Sequence, residues 1–251
     1  MSSAPDAIIT LDQGNSSTKM VAYNPADDRE LGCAVINSRR SLEAAAEMFG
    51  RWHVEAAIGC SVADGRNLSD LMALIDAPLK MQLAASTPVP LKNLYGSPET
   101  LGADRLAAAV GAAALCPEAD LLVADIGTAC TFDVVTAAGE FLGGNISPGP
   151  GMRLRALNRF TARLPLVSGH ADFIPGIGNN TVEALRCGAM RGVVAELLYY
   201  SQWGNSRRII LSGGWAPEIA ALLPDGVERR IEPHLVNLGL LNILKFQHQP
   251  S

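Results

Sequence analysis

Two turns of the same kind carry the residues best suited to chemistry. Each joins an aspartate to a glycine two positions later and then to hydroxyl side chains. The first turn is Asp12-Gln13-Gly14-Asn15-Ser16-Ser17-Thr18-Lys19, and the second is Asp125-Ile126-Gly127-Thr128-Ala129. Such a turn offers backbone N–H groups and hydroxyls to a phosphate, while its carboxylate can hold a cation. The two turns therefore predict phosphate and cation binding.

Apolar, β-branched runs flank both turns. Residues 7–11 and 20–23 surround the first turn, and residues 121–123 and 134–135 surround the second. This pattern predicts strand, turn and strand in each copy. An Asp-x-Gly turn is also common in hairpins that bind nothing. For either copy alone, an ordinary hairpin turn explains the motif as well as a binding site does. Two copies about half a chain apart favour a functional pair.

The first turn has the parts that phosphoryl transfer requires, which are mainly N–H groups, a positive charge and a carboxylate for a metal. Gly14 lets the backbone approach a phosphate, and the polar side chains of residues 15–18 can donate hydrogen bonds. Lys19 can bind phosphate charge; in the less favoured alternative it is a surface lysine at the start of a strand. Asp12 can hold Mg²⁺ directly or through water.

A third motif, Gly102-Ala103-Asp104-Arg105, precedes an alanine-rich stretch with strong helix propensity, residues 106–115. The N–H groups at the start of that helix are available to an anion. In the plainer alternative, Asp104 only caps the helix and Arg105 is an exposed first-turn residue. The helix dipole disfavours an arginine there, and this mismatch suggests that Arg105 serves a ligand.

The remaining pattern alternates strands and helices, which indicates an α/β architecture of two related halves facing a cleft. We place the boundary near Pro117, giving domains of residues 1–117 and 118–251, with the last helix able to pack back on the core. Ser212-Gly213-Gly214 is either a nucleotide contact or an ordinary strand–helix turn. Helices are predicted at residues 41–51 (with Ser41 as N-cap), 67–75, 152–162, 182–200, 217–223 and 235–246; strands at 56–62 and 207–211; and a loop at 141–151.

Composition excludes several classes of protein. A net charge of -5 argues against nucleic-acid binding, which depends on clustered basic residues. The chain shows neither a secretory leader nor an apolar stretch of membrane-spanning length, and its five cysteines have no CxxC spacing. These features predict a cytoplasmic protein with reduced thiols. None of the four histidines has metal-ligand spacing to a cysteine or another histidine, so the sequence predicts no zinc site.

Taken together, the motifs resemble those of the type III pantothenate kinases, and they follow the family's order over nearly the whole chain. The matching segments are residues 12–16, 102–105, 125–129, the Gly143-Gly144-x-Ile146-x-Pro148-Gly149 stretch, Asn180-Thr181-x-Glu183-Ala184-Leu185, residues 212–214 and Leu235-x-x-Leu238-Gly239-Leu240. The chain departs from many relatives at Ser16, where they have threonine. It also has alanines after Arg105, where a polar residue is expected.

The resemblance implies an actin-like (ribonuclease H-like) fold, a homodimer, and phosphorylation of pantothenate by ATP, the first step towards coenzyme A. It implies a divalent cation such as Mg²⁺ and a monovalent cation, K⁺ or NH₄⁺. The implied roles are as follows: Asp104 as proton acceptor; Asp12, Gln13, Gly14, Asn15, Ser16, Ser17, Thr18, Lys19 and Thr128 at ATP; Tyr95, Gly102, Ala103, Asp104, Arg105 and Thr181 at pantothenate; and Asp125 at the monovalent cation.

Two alternatives stay open. One is an actin-like kinase for another small acceptor, and Arg105 and Tyr95 would then still favour a carboxylate. The other is a nucleotide-binding regulator without catalysis, which has no need of a base such as Asp104.

Overall fold

A computed structural model describes residues 5–62, 68–170, 173–202 and 207–248. The chain divides into two compact units. The first contains Met1–Pro117, Gly139–Phe141 and His234–Ser251, and the second contains Glu118–Ala138 and Leu142–Pro233. The C-terminal helix thus belongs to the unit formed by the N-terminal part of the chain.

Strands and helices alternate through the described residues. The strands are β1 (Asp6–Gln13), β2 (Thr18–Tyr23), β3 (Glu30–Ile36), β4 (His53–Ser61), β5 (Leu79–Gln82), β6 (Lys92–Asn93), β7 (Leu121–Ile126), β8 (Ala129–Val135), β9 (Glu140–Pro148), β10 (Arg208–Ser212) and β11 (Arg229–Ile231). The helices are α1 (Arg39–Phe49), α2 (Leu68–Ala73), α3 (Ala103–Leu115), α4 (Pro150–Phe160), α5 (Thr181–Gln202), α6 (Ala216–Leu222) and α7 (Leu235–Gln247), with a 3₁₀ turn at Pro98–Thr100.

The same strand order occurs in both units. The first unit has the order β3-β2-β1-β4-β5, and the second has β9-β8-β7-β10-β11. In each, the first two strands of the repeat form an antiparallel hairpin, and the two later strands lie parallel to the first. Asp12 and Asp125 therefore occupy equivalent positions, one residue before the end of β1 and of β7. This confirms the predicted strand–turn–strand pair.

The alanine-rich helix α3 packs closely on α7 in the first unit. A Cβ atom on Gly239 would overlap the backbone carbonyl of Ala107, and one on Gly111 would lie 3.0 Å from the backbone nitrogen of Gly239. Glycine is required at both positions because the helices approach through their backbones. The small side chains of residues 107–109 and 112 are buried. Tight helix packing thus explains why alanines follow Arg105.

Helix α7 is also tied to the sheet of the first unit. Asn237 is fully buried, and its Nδ2 donates to the Thr10 hydroxyl at 3.0 Å and to the carbonyl of Lys19 at 3.3 Å. A buried amide that bonds two neighbouring strands fixes the helix over β1 and β2. Helix α7 therefore supports both the hairpin that carries Asp12 and helix α3, which carries Asp104.

The predicted loop at residues 141–151 is wrong in most of its length, because Glu140–Pro148 form strand β9 and α4 begins at Pro150. Gly143 has a φ of 91°, which glycine adopts without strain. At Gly144 a Cβ atom would overlap the carbonyl of Phe132 on β8. The glycines that suggested a loop instead allow a bent strand to lie against its neighbour's backbone.

The predicted cap of α1 is also wrong. Ser38 is the N-cap, because its side chain accepts from the Ser41 backbone N–H while Ser41 Oγ accepts from the N–H of Ser38. Ser41 is thus the N3 member of a capping box. The predicted start of the next helix, Asn67, lies outside the described residues.

Sequence patterns did not reveal four strands at sheet edges, β3, β5, β6 and β11. Each is only partly buried or short, so the apolar alternation is weak. Among the described residues, no helix combines the length and apolarity needed to cross a membrane.

Candidate active site

The Asp12 turn is a closed hairpin turn in the first unit. The N–H of Gly14 donates to the carbonyl of Ser17 at 3.1 Å, which shapes the loop between β1 and β2. The antiparallel register places Asp12 directly opposite Lys19. Side chains of directly opposed residues project from the same face of a sheet. The two side chains therefore leave the sheet on the same side, beside the turn.

Gln13 presents a buried hydrogen-bond donor at this turn. Its side chain is 1% exposed, and its Oε1 accepts from the Ser61 hydroxyl at 2.7 Å. Its Nε2 is buried and has no hydrogen-bond partner among the described residues. A buried donor without an acceptor costs about 1 to 3 kcal/mol. A phosphate oxygen at the turn would satisfy it, so this residue fits a nucleotide phosphate.

The polar residues of the turn differ in accessibility. Asn15 and Ser16 are exposed and Ser17 is half-buried, while Thr18 is only 1% exposed. The exposed and half-buried side chains are open to a ligand. The predicted contact of Thr18 with ATP stays a prediction.

Asp104 lies in the first turn of α3, and it is not the N-cap, which is Gly102. Its Oδ1 instead accepts from the backbone N–H of Arg105 at 2.8 Å. Burial raises the pKa of Asp104, while that hydrogen bond and the Arg105 charge partly offset the effect. A carboxylate whose pKa is raised towards the working pH is better suited to accept a proton. Its predicted role as the base stays a prediction.

Arg105 is buried, so the exposed alternative considered for it is wrong. It is 6% exposed, and its Cζ lies 5.3 Å from the centroid of the Tyr95 ring. The ring of Tyr95 in turn lies 6.2 Å from that of Phe141, all within the first unit. A desolvated arginine held over an aromatic face presents fixed donors to a carboxylate. The pair formed by Arg105 and Tyr95 matches a carboxylate-bearing acceptor.

Cys60 shows that the two acidic motifs of the first unit converge. It is fully buried on β4 opposite Asp12, and burial raises the pKa of its thiol well above the usual range. The charges of Asp12 and Asp104 raise that pKa further. Both carboxylates therefore lie near one thiol, although they are far apart in sequence. No sequence signal pointed to Cys60.

Replacing Gly102 tests how Asp104 is positioned. A Cβ atom on Gly102 would lie 2.5 Å from Asp104 Oδ1, the movable end of a side chain. We expect Gly102→Ala to displace the carboxylate and to lower kcat by about tenfold or more, since misplaced catalytic groups react slowly. Gly96→Ala is the matched control because nothing lies within 4 Å of its Cβ. Steady-state kinetics with thermal melting checks this; an unchanged kcat would contradict the role of Gly102.

The Asp125 turn is the equivalent hairpin in the second unit. The N–H of Gly127 donates to the carbonyl of Ala129 at 3.0 Å. In the sheet, Asp125 lies opposite Thr131 on β8 and Ser212 on β10. Asp125 is half-buried and Thr128 is exposed. The turn thus presents a carboxylate and a hydroxyl at one end of the sheet.

Two other glycine motifs of the second unit meet this turn. Gly213 has a φ of 89°, and a Cβ there would overlap Asp125 Oδ1 and lie 2.6 Å from the carbonyl carbon of Ile126. The N–H of Gly149 donates to the carbonyl of Thr128 at 3.0 Å. Backbone approaches this close require glycine. The three motifs form one cluster with a carboxylate and several carbonyl oxygens, a donor set that suits a hard cation.

A charged network lies near the same turn, and sequence reasoning missed it. Arg153 Nη2 donates to Glu196 Oε1 at 2.5 Å, and the hydroxyl of Ser147 donates to Oε2 of that glutamate at 2.6 Å. Burial raises the pKa of Cys130 to about 12; the Arg153 charge lowers it, and those of Glu196 and Asp125 raise it. The charges of all three groups therefore act on the buried thiol. Their wide separation in sequence left no signal.

The Asn180-Thr181-x-Glu183 motif caps helix α5. Asn180 Oδ1 accepts from the N–H of Glu183 at 3.0 Å, and the Glu183 carboxylate accepts from the N–H of Asn179 at 3.1 Å. These two bonds stabilise the start of the helix much as a capping box does. Thr181 makes neither bond and is exposed. Its predicted contact with pantothenate stays a prediction.

The repeated strand order and the paired aspartate turns define an actin-like, ribonuclease H-like protein. A solved structure described as a conserved putative Baf family transcriptional activator from Campylobacter jejuni has a TM-score of 0.63, 18% identity, and coverage of 95% of this chain and 98% of its own. The activator of the 2-hydroxyisocaproyl-CoA dehydratase from Clostridium difficile, with bound ADPNP, has a TM-score of 0.56 and 15% identity, covering 98% of each chain. These likenesses show the fold.

Sequence comparison gives the family. A family model described as Type III pantothenate kinase matches residues 8–201. A relative named Type III pantothenate kinase from Porphyromonas gingivalis is 38% identical over 247 residues, covering 95% of this chain and 98% of the relative. The chain belongs to the type III pantothenate kinase family. Kinases of this family use ATP and a divalent cation.

Proposed function

We propose that this protein transfers the γ-phosphoryl group of ATP to the hydroxyl of pantothenate, giving 4'-phosphopantothenate for coenzyme A synthesis. The observation that carries the proposal is that Asp12 lies opposite the buried Cys60 on β4, while Asp104, whose pKa burial raises, acts on the same thiol. In a member of this family, that arrangement brings together a phosphate-binding turn and a base. Both features are needed for phosphoryl transfer to an alcohol.

Four residues of the first unit have distinct roles in this reaction. Asp104 accepts the proton of the acceptor hydroxyl as that oxygen attacks the γ-phosphorus, and ADP leaves. Lys19 and the Nε2 of Gln13 hold phosphate oxygens at the Asp12 turn. Arg105 binds the carboxylate of pantothenate and so orients the hydroxyl. Positioning of this kind supplies most of the catalysis in phosphoryl transfer.

Cations complete the proposal. Asp12 would hold Mg²⁺, directly or through water, and the metal would neutralise phosphate charge. Asp125 would hold K⁺ or NH₄⁺, since its carboxylate lies among backbone carbonyls at the Gly127–Thr128 turn. Thr128 at ATP and Thr181 at pantothenate remain proposals of the same kind. We also propose a homodimer and a cytoplasmic location, on the resemblance alone; sedimentation velocity tests the former.

The direct experiment is a coupled ADP-release assay with ATP, pantothenate, Mg²⁺ and K⁺. We expect turnover that depends on pantothenate. Absence of pantothenate-dependent turnover under these conditions would overturn the proposal. Turnover only with other carboxylate-bearing alcohols would favour a kinase for another acceptor. ATP binding by calorimetry without turnover on any acceptor would favour a regulator.

Potassium dependence tests the role of Asp125. At constant ionic strength we expect the rate to rise about tenfold or more when K⁺ replaces Na⁺, because a fixed cation strengthens charge stabilisation in the transition state. Asp125→Asn should lose this response. Asp120→Asn, which changes a carboxylate directly before β7, at the end away from Asp125, is the matched control. Equal rates in the two salts would indicate a plain structural turn at Asp125.

A further inference from the structure

Glu30, Cys33 and His234 bring a carboxylate, a thiol and an imidazole together in the first unit. One ligand atom from each lies within 4.8 Å of the other two. His234 Nδ1 is 2.9 Å from Glu30 Oε2, and the Cys33 thiol is hydrogen-bonded to Glu30 as well. None of these residues takes part in the proposed kinase reaction. We call this group the Glu30–Cys33–His234 cluster.

A β-bulge creates the cluster. Residues three apart on a regular strand face opposite sides of the sheet, so Glu30 and Cys33 would point away from each other. In β3, however, Cys33 pairs with Val21 and Glu30 pairs with Tyr23, which leaves Leu31 as an extra residue. The extra residue turns Glu30 onto the same face as Cys33. The two side chains can therefore act on one ligand.

The third ligand comes from a rigid element. His234 is the N-cap residue of α7. That helix is held by its backbone packing on α3 and by the bonds from Asn237 to Thr10 and Lys19. Sites built on packed helices and strands keep their ligands in place. Helix α7 thus places the imidazole beside the edge strand, although His234 is more than 200 residues from Glu30 in sequence.

We propose that the Glu30–Cys33–His234 cluster binds one zinc ion. A thiolate, an imidazole and a carboxylate are the three ligand types that zinc takes in proteins, and water would fill the fourth tetrahedral position. A sulfur ligand disfavours Mg²⁺ and Ca²⁺, which prefer oxygen. Tetrahedral zinc separates its ligand atoms by roughly 3.4 to 3.6 Å. Small rotations of these partly exposed side chains reach that spacing.

Zinc at this position would act as a clamp between β3 and the start of α7. Within the sheet, the edge strand β3 pairs on one side only, with β2. Because α7 packs on α3, the zinc ion would also stabilise α3, whose first turn contains Asp104. The structure therefore assigns the site a structural role, separate from the divalent cation that accompanies ATP.

Ordinary histidine–carboxylate pairs elsewhere in the protein provide the contrast. His53 lies 2.9 Å from Asp6, and His170 lies 3.0 Å from Glu218. In the described residues, neither pair belongs to a group of three potential metal ligands, and only the Glu30–Cys33–His234 cluster does. A histidine–carboxylate pair is thus not enough to form a metal site, and the thiol of Cys33 distinguishes the proposed one.

The test uses the full-length, untagged, reduced protein after metal removal, without nucleotide or Mg²⁺. Zn²⁺ is titrated in competition with a chromophoric chelator, and Co²⁺ serves as a spectroscopic probe. We expect one tightly bound zinc per chain and a thiolate-to-cobalt absorption band. Cys33→Ser should remove the band, and Cys33→Ser and His234→Asn should each weaken zinc binding at least about tenfold.

His53→Asn is the matched control and should bind zinc as the wild type does. Cys33 is exposed, so Cys33→Ser should melt like the metal-free wild type, which separates ligand loss from misfolding. Absence of stoichiometric zinc would overturn the proposal. So would equal affinity in Cys33→Ser, which would place the metal elsewhere. These outcomes do not depend on turnover, so they stand apart from any failure of the kinase proposal.

Discussion

Asp104→Asn is expected to lower kcat for pantothenate phosphorylation at least about 100-fold, because the variant cannot accept the hydroxyl proton. Asparagine keeps the size of the side chain, and its oxygen can still accept from the N–H of Arg105. The loss should therefore appear in kcat rather than in the KM for pantothenate. Steady-state kinetics of the purified variant provides the measurement.

Glu99→Gln is the control for this variant, since it removes an exposed carboxylate in the neighbouring 3₁₀ turn. It should react at the wild-type rate. The pH profile adds a second readout. Because burial raises the pKa of Asp104, the acidic fall in kcat should begin at a higher pH than for an ordinary aspartate. If Asp104→Asn turned over normally, the base would have to be another group.

Asp104→Asn should lower the activity but not the stability of the protein. A carboxyl group whose pKa is higher in the folded state than in the unfolded state stabilises the fold when protonated, at pH below the unfolded value. That contribution is lost as the pH rises through the raised folded pKa. At neutral pH the charged, partly desolvated carboxylate therefore lowers the free energy of unfolding. Asp104→Asn should melt at the wild-type temperature or slightly above it, as expected where function opposes stability.

Gly213→Ala is expected to destabilise the protein by about 2 to 4 kcal/mol, from backbone strain and steric overlap together. The residue has a φ of 89°, which alanine adopts only with strain. Its Cβ would also overlap the carboxylate of Asp125 and crowd the backbone of Ile126. Because the Asp125 carboxylate must then move, the response to K⁺ should be lost as well. Chemical denaturation and the K⁺ titration measure the two effects.

The adjacent glycine offers a matched control. Gly214 has no atom within 4 Å of its Cβ position. Gly214→Ala should therefore keep both the stability and the K⁺ response of the wild type. A Gly213→Ala variant as stable as Gly214→Ala would show that the Gly213 backbone is not held against the Asp125 turn.

Local patterns predicted the elements that frame the site. The Asp12 and Asp125 hairpins follow from apolar strands on both sides of an Asp-x-Gly turn, and helix α3 follows from its alanines. Edge strands such as β3 were not predicted because a half-exposed strand shows only weak alternation of apolar and polar residues. Glycines at 143 and 144 were misread as a loop, because a close backbone approach to β8 produces the same sequence signal.

By itself, the sequence determined the fold class, the family and the two aspartate turns, because these depend on short motifs and local periodicity. Only the tertiary structure decided that Asp12 lies opposite Cys60, that Arg105 is buried beside Tyr95, and that Gly213 abuts Asp125. The same holds for the Glu30–Cys33–His234 cluster, where the histidine spacing had predicted no zinc site. Contacts between residues far apart in the chain depend on how strands register and helices pack, and no local spacing records them.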